Sequence, residues 1–275
     1  MSFYTSLSGL KGAQTDMSVI ANNIANANST GFKRSTAQFA DIFASSPTQS
    51  TKSIAGQGQR LVGIVQQFTQ GSYETSAKTL DLAIVGEGMF VVKSAPPAEN
   101  VSYTRNGTFT PSVEGHVVDT TGSRLQLLPV DVDGNVTTPT LAAATDFVLP
   151  PHAAGNPDAA LINISIGMDG LVTATFSDGS DEMLGKVAMA TFPAMDGLRP
   201  VGDAHWQSTG DSGDPIIGSA GSGSFGGVRS GALERSNVDV TEELVLLIAA
   251  QRNFQANAKA IEGASQLTQT IINMR

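Results

Sequence analysis

There is no cysteine among the 275 residues. That excludes disulfides, thiolate metal sites and cysteine nucleophiles together. It also suits a chain that crosses a membrane unfolded and never reshuffles thiols. Aromatic residues are scarce, at 6%, and charged residues make up only 15%. The 40% apolar fraction still permits a core, and 29 glycines point to a β-rich, turn-rich protein with modest core clusters. Positive charge is in deficit: 16 Lys and Arg against 25 Asp and Glu leave a net charge of −9. Nucleic acid is therefore not an expected partner, because phosphate binding needs clustered cations. No apolar run approaches the ~20 residues that a membrane-spanning helix requires. The longest is Leu244 to Ala250. The start Met-Ser-Phe-Tyr-Thr-Ser-Leu has neither a basic stretch nor an apolar h-region, so no cleaved signal peptide is expected.

What is present is a heptad pattern at each end. Phe3, Leu10, Met17 and Ile24 recur every seven residues, with Leu7, Gln14 and Ala21 as the interleaved row and Ile20 on the same stripe. This predicts a helix from about Phe3 to Asn28. Near the other end Val240, Leu247, Phe254 and Ile261 make one row, and Leu244, Gln251, Ala258, Ser265 and Ile272 the second. This predicts a helix from about Val240 to Met274, opened by Asp239 as N-cap with Glu242 as its reciprocal partner. At 1.5 Å per residue such helices are ~35–50 Å long. The stripes are thin, and a lone pair of this kind buries little area. Periodicity alone leaves two readings open: a two-helix stalk that closes a domain, or a stalk that packs against neighbouring copies.

Between the helices the pattern turns to β. Asn106-Gly107 follows an alternating run from Tyr103 and reads as a hairpin turn. Asp169-Gly170 separates Ile164-Ser-Ile166 from Leu171-Val-Thr-Ala-Thr-Phe176, and Asp178-Gly179 follows as a further turn. Val187 to Phe192 reads as a buried strand. Pro96-Pro97, residues 139–158 and the glycine-rich stretch from Gly218 to Gly227 read as loops, and residues 44–58 as a linker. The expected fold is therefore α+β. Residues 1–30 and 236–275 form a paired coiled-coil stalk and 31–63 a connecting linker. Residues 64–235 form a mainly antiparallel β body with a short loop insert at 139–161.

The motifs that could carry chemistry are weak. His116, His152 and His205 are far apart, with no ligand at metal-binding spacing, and read as surface or satisfied polar residues. Gly221-Ser-Gly223-Ser-Phe-Gly226 matches a dinucleotide fingerprint. No strand precedes it and no helix opens in it, so it reads as a flexible loop. Asp131-Val-Asp133-Gly-Asn135 hints at a calcium loop. Its glycine falls at the fourth position and Ala142 stands where a glutamate belongs, so a tight turn fits better. Nothing argues for catalysis, a cofactor, a metal or a small-molecule substrate.

Three linked stretches resemble the bacterial flagellar rod and hook family. The first is Ser8-Gly-Leu-Lys-Gly-Ala-Gln-Thr-Asp-Met-Ser-Val-Ile-Ala-Asn-Asn-Ile-Ala-Asn-Ala-Asn-Ser-Thr-Gly-Phe-Lys33. The second pairs Gln67-Phe-Thr-Gln-Gly71 with Leu80-Asp-Leu-Ala-Ile-Val-Gly-Glu-Gly-Met-Phe90. The third runs from Ser230 through Asp239 to Leu244 and continues as Ala250-Gln-Arg-Asn-Phe-Gln-Ala-Asn-Ala-Lys259. Within the family, Phe39-Ala-Asp-Ile-Phe43, Gln251-Arg-Asn-Phe-Gln-Ala-Asn257 and the ending Ile272-Asn-Met-Arg275 lean towards hook members. The short insert at 139–161, where hook members carry a large outer domain, leans towards distal rod members. The resemblance implies a structural subunit, not an enzyme, exported by the flagellar type III apparatus and located in the hook or basal body. Its partners would be further copies of itself and the adjoining axial proteins, namely distal rod, hook cap and hook–filament junction. It also implies assembly roles for the stripe residues Phe3, Leu7, Leu10, Met17, Ile20 and Ile24, and for Leu244, Leu247, Gln251, Phe254, Ala258, Ile261 and Ile272. Asn22, Asn23 and Asn26 offer amides across the helix end, and Gly31 and Phe32 form the exit turn, where Gly31 can take a positive φ. Glu242, Glu243, Arg252 and Glu262 read as a solvated face.

Overall fold

The structure, a computed structural model, describes residues 2–42 and 56–273. Phe43, Met274 and most of the 44–58 stretch lie outside the described residues. Two helices bracket the chain, α1 (Ser2–Ala25) and α2 (Val240–Asn273). The strands between them run β1 (Ser35–Asp41), β2 (Gln59–Gln66), β3 (Tyr73–Thr75), β4 (Leu82–Val85), β5 (Met89–Lys93), β6 (Val101–Thr104) and β7 (Thr110–Pro111). They continue with β8 (Val117–Val118), β9 (Arg124–Leu128), β10 (Thr145–Asp146), β11 (His152–Ala153), β12 (Asn156–Ile166) and β13 (Leu171–Phe176). The last are β14 (Asp181–Thr191), β15 (Arg199–Gly202), β16 (His205–Gln207), β17 (Ile216–Ser219), β18 (Gly227–Ser230) and β19 (Ala232–Glu234). The architecture is the expected α+β: terminal helices packed on each other and a mainly antiparallel β region. Two compact units divide it. The helical unit takes Met1–Ala27, Lys33–Gln67 and Val238–Arg275, and the β body takes Asn28–Phe32 and Phe68–Asn237.

In the helical unit α1 and α2 run antiparallel. A Cβ on Gly9 would stand 2.6 Å from the Asn257 amide oxygen, and Asn23 at the other end of α1 bonds Glu243 at the start of α2. Glycine inside a helix costs about 1 kcal/mol against alanine. Here Gly9 removes the side chain that would hold α2 off. Asp239 caps α2, its Oδ1 accepting from Thr241 N at 2.7 Å and Glu242 N at 3.3 Å. The reciprocal bond expected from Glu242 is not made, because its carboxylate reaches Arg34 instead. Helix α1 ends three residues earlier than its periodicity suggests, in a turn at 26–31 where Gly31 has φ +70°.

The stretch 31–63, read as linker, holds a strand and the start of another. β1 and β2 pair antiparallel from Ser35↔Gln66 to Asp41↔Gln59, with a register shift at Gln38/Phe39. The alternation of Phe39, Leu61, Val62 and Ile64 is too short and too interrupted by Gln and Gly to read as a hairpin from sequence.

In the β body the main sheet runs β11-β12-β13-β14-β9-β5-β6-β16-β15 among the described residues, with β7, β8, β10 and β17 attached beside it. Its core clusters Phe90, Phe109, Leu125, Phe147, Val172 and Val187 on one side, and Met89, Tyr103, Leu128, Phe192 and Trp206 on another. The Asp169-Gly170 and Asp178-Gly179 turns join β12 to β13 and β13 to β14 as expected. Asn106-Gly107 does not close a hairpin, because β6 pairs with β5 and β16. Gly107 is needed for close approach instead: a Cβ there would lie 1.6 Å from the Leu82 carbonyl oxygen. The 139–161 stretch is more ordered than a loop. It contains β10, β11 and the first half of β12, an edge region whose exposed Asn, Pro and Asp residues hide the strand pattern. The Gly221–Gly226 stretch is closed by Gly221 N to Gly226 O at 3.1 Å, with Phe225 packed on the core, so it is a tight loop between β17 and β18.

His205 is buried, with Nε2 2.6 Å from Asp119 Oδ2 and Nδ1 2.8 Å from the Asp203 carbonyl. Burial opposes its protonation, but the Asp119 carboxylate and the Asp203 carbonyl outweigh that and raise its pKa. Burial likewise opposes ionisation of Asp119, and bonds from His205, Thr121 and Ser123 overcome it, lowering its pKa. The pair's stabilisation is therefore complete above the ordinary Asp range near 4 and below the ordinary His value near 6.5. It is lost as pH rises through the raised His205 pKa, and again as pH falls through the lowered Asp119 pKa. We expect the melting temperature of the chain to fall between pH 6.5 and 9 more steeply than that of His205→Asn. Parallel curves would contradict the pairing.

Candidate assembly surface

The seam between the helices is not quite the one that periodicity suggests. Leu247, Phe254 and Ile261 are half-buried on α2, but the row beside them is Glu243, Ala250, Asn257 and Ala264, one residue before the Leu244 row. Gly9 on α1 lets this row approach closely, while Gly12 makes room for Gln59 of β2, whose amide nitrogen would lie 2.1 Å from a Cβ there. Leu244, Gln251 and Ile272 are left exposed, while Ala258 is half-buried. On α1 Ile20 is buried, Leu7, Leu10, Met17 and Ile24 are half-buried, and Phe3 is exposed.

The result is a helical unit with little core. Its fully buried apolar residues are Ala13, Val19, Ile20 and Ala250 among the described residues. On α2 Leu244 is 46% exposed and Ile248, one turn on, 50%. Val240, Val245, Leu267, Ile271 and Ile272 also face out, as do Leu61, Val62 and Ile64 on β2. Exposed apolar rows on a helix are where a partner can add buried area.

A polar node ties the unit together. Glu243 is only 1% exposed and pairs with Arg34 Nε at 2.5 Å. Arg34 also reaches Glu242 at 3.2 Å. Asn23 donates to Glu243 Oε2 at 3.2 Å and to Ser35 O at 2.8 Å, and its Oδ1 accepts from Ser35 N at 2.9 Å. One asparagine thus extends the β1 backbone and bonds the start of α2. Burial, together with the Glu243 charge, raises the pKa of Asp16. Glu243 is therefore a lock, not the solvated face expected of it. No signal in the sequence separated it from Glu242, because neither glutamate stands on the heptad rows read there. Asn23→Leu removes three bonds and leaves buried partners unpaired, so it should destabilise the helical unit by about 1–3 kcal/mol. Loss of α-helical circular dichroism at lower temperature is the readout.

The other asparagines do local work. Asn26 donates to Asn22 O at 3.0 Å, while Asn22 is exposed. Gly31 and Phe32 fall in the β body, where Gly31 N donates to Glu234 O at 2.8 Å.

Three family models match in chain order. "Flagella basal body rod protein" covers residues 3–33, "Flagellar hook protein FlgE/F/G D1 domain" 83–174, and "Flagellar basal body rod FlgEFG protein C-terminal" 229–274. Flagellar basal-body rod protein FlgG of Agrobacterium fabrum is 32% identical over 276 residues, covering 96% of this chain and 95% of the relative. This chain belongs to the flagellar hook and rod protein family. FlgG of Bacillus subtilis is 30% identical over 285 residues, covering 100% of this chain and 98% of the relative. Flagellar hook protein FlgE of Salmonella typhimurium is 26% identical over 412 residues, covering 100% of both chains. The family is a structural component of the flagellum, and the α1 signature, the start of the body and the α2 signature are the regions its models recognise.

Proposed function

We propose that the chain is a hook subunit, exported by the flagellar type III apparatus, that polymerises into the hollow axial tube of the flagellum. The carrying observation is the helical unit itself: two long helices with a thin seam, a buried polar lock and unpartnered apolar rows on α2. Burial of those rows against neighbouring copies supplies the area that the isolated pair lacks. Heterologous contacts between copies, where the rotation does not close a ring, build open helical assemblies. The hook reading is supported by Phe39-Ala-Asp-Ile-Phe43 and by Gln251-Arg-Asn-Phe-Gln-Ala-Asn257. Distal rod is the second reading, favoured by the near-equal length of the FlgG alignments, whereas the FlgE alignment extends to 412 positions.

Deleting the gene and imaging detergent-extracted envelopes separates the two. Rods without hooks are the expected result, and truncated rods would move the subunit to the distal rod. In vitro, removal of residues 1–28 should abolish seeded tube growth while the β body keeps its near-UV circular dichroism. Tube growth by the truncated chain would remove the helices from the mechanism.

A further inference from the structure

The helical unit carries a groove of about 560 Å³ along its seam. Thr5, Gly9 and Asp16 of α1, Phe39 of β1, Gln59 of β2 and Asn257 of α2 line it. Asp16 is the one charged group in the lining among the described residues.

Helical spacing explains where that carboxylate sits. Gly9, Asp16 and Asn23 stand seven residues apart on one row of α1. Gly9 meets Asn257 and Asn23 bonds Glu243, so Asp16 falls midway between them, opposite Ala250. Ala250 is buried and too short to offer a partner. The Asp16 carboxylate makes no hydrogen bond or ion pair among the described residues. Arg34, the cation of the nearby polar node, is committed to Glu242 and Glu243. Burial and the Glu243 charge both oppose ionisation of Asp16 and raise its pKa. A carboxylate held at a seam without a counter-charge destabilises the monomer that carries it.

The matching charge stands on the outer face of α2. Arg252 and Lys259 are seven residues apart, exposed, and without an ion pair among the described residues. Each lies two residues past a seam position, Ala250 and Asn257. Positions two apart on a helix point to nearly opposite sides, so both cations face away from their own groove. Val245, seven residues before Arg252, is 63% exposed, and Ile248, one turn before it, is half-exposed. The cations therefore continue the uncovered apolar surface of α2. Lys11 and Arg60 are also exposed but stand singly on their elements. A ridge with two long cations and a groove with one unmatched carboxylate are different surfaces of one unit. A contact between them joins two copies heterologously and repeats from copy to copy.

We infer that the groove of one subunit receives the Arg252–Lys259 row of a neighbouring copy, with Asp16 as the counter-charge. This rests on the assembly reading above and names one of its contacts. The charge that weakens the free helical unit becomes a paired charge in the polymer.

The test compares seeded tube growth by the full chain with growth by charge variants, each checked for fold by far-UV circular dichroism. Asp16→Asn keeps the shape and removes the charge. It should raise the melting temperature of the helices, because burial and Glu243 no longer oppose a charge. It should also raise the critical concentration for growth by about tenfold or more, as loss of one partner of a buried charge pair does. An Asp16 with no role between copies would leave growth unchanged or improve it along with stability. Asp16→Lys should stop growth, and so should Arg252→Glu combined with Lys259→Glu. The triple variant, which exchanges the charges, should grow again. Growth of Asp16→Asn at the parent's critical concentration, or no recovery in a folded triple variant, would overturn the contact and leave the assembly reading standing. A parent chain that forms no tubes would overturn the assembly reading and this contact with it.

Discussion

Replacing Leu244 and Ile248 together by glutamate should abolish tube growth and leave the monomer folded. The two side chains lie one turn apart on α2 and are half-exposed, so the isolated chain loses almost nothing when they become polar. In a polymer they would be buried. A fully buried Leu or Ile contributes about 1.5–3 kcal/mol, and an unpaired buried carboxylate adds a desolvation penalty of several kcal/mol. Two such positions at every subunit contact exceed what a repeating interface can absorb. Seeded growth followed by light scattering and electron microscopy reads assembly, and far-UV circular dichroism reads the monomer. Normal tubes from the double variant would show that this face points to solvent or channel. Loss of helix in the monomer would show that the face already has an intramolecular role.

Glu234→Ala should cost the β body about 3–5 kcal/mol, the usual result of removing one member of a buried ion pair. Glu234 is fully buried and Arg105 nearly so, with Oε2 3.0 Å from Arg105 Nη1. The other carboxylate oxygen accepts from Gly71 N at 2.9 Å, and Arg105 Nη2 donates to Gly86 O at 2.8 Å. The backbone of Glu234 also receives Gly31 N. One side chain thus fastens the segments through which the chain enters and leaves the body. Urea unfolding of Glu234→Ala should show the loss, and Glu234→Gln should lose less, because it keeps an acceptor for Gly71. An apolar double replacement at 105 and 234 should recover much of the difference, since the Ala variant's cost is largely that of a stranded guanidinium. A Glu234→Ala midpoint close to the parent's would mean that water reaches Arg105 and the pair is dispensable.

Much of the fold was legible because it is written in local periodicity. The helices follow from heptads, and the β12–β13–β14 meander follows from Asp-Gly pairs between alternating runs. Where the reading erred, the deciding contact was distant in sequence. Asn106-Gly107 has the composition of a hairpin turn, but its glycine answers to Leu82. β12 begins in a stretch of Asn, Pro and Asp that local propensity assigns to loop. The β1–β2 hairpin escaped because a two-stranded ribbon with a register shift has no clean alternation.

The candidate site divides in the same way. The apolar rows were found by counting, because a helix face repeats every three to four residues. Which row meets α1 was not, because the seam turns on the absence of a side chain at Gly9, where a Cβ would meet Asn257. Glu243 shows this most sharply: in sequence it is one of two adjacent glutamates with equal claim to solvent. By itself the sequence determined an α+β chain with helical ends, a β middle and the signatures of a flagellar axial protein. Only the tertiary structure decided which glutamate is locked by Arg34 and Asn23, and which leucines remain uncovered. Periodicity carries the direction a side chain takes from its own backbone; what it meets there depends on chain brought back from tens to hundreds of residues away.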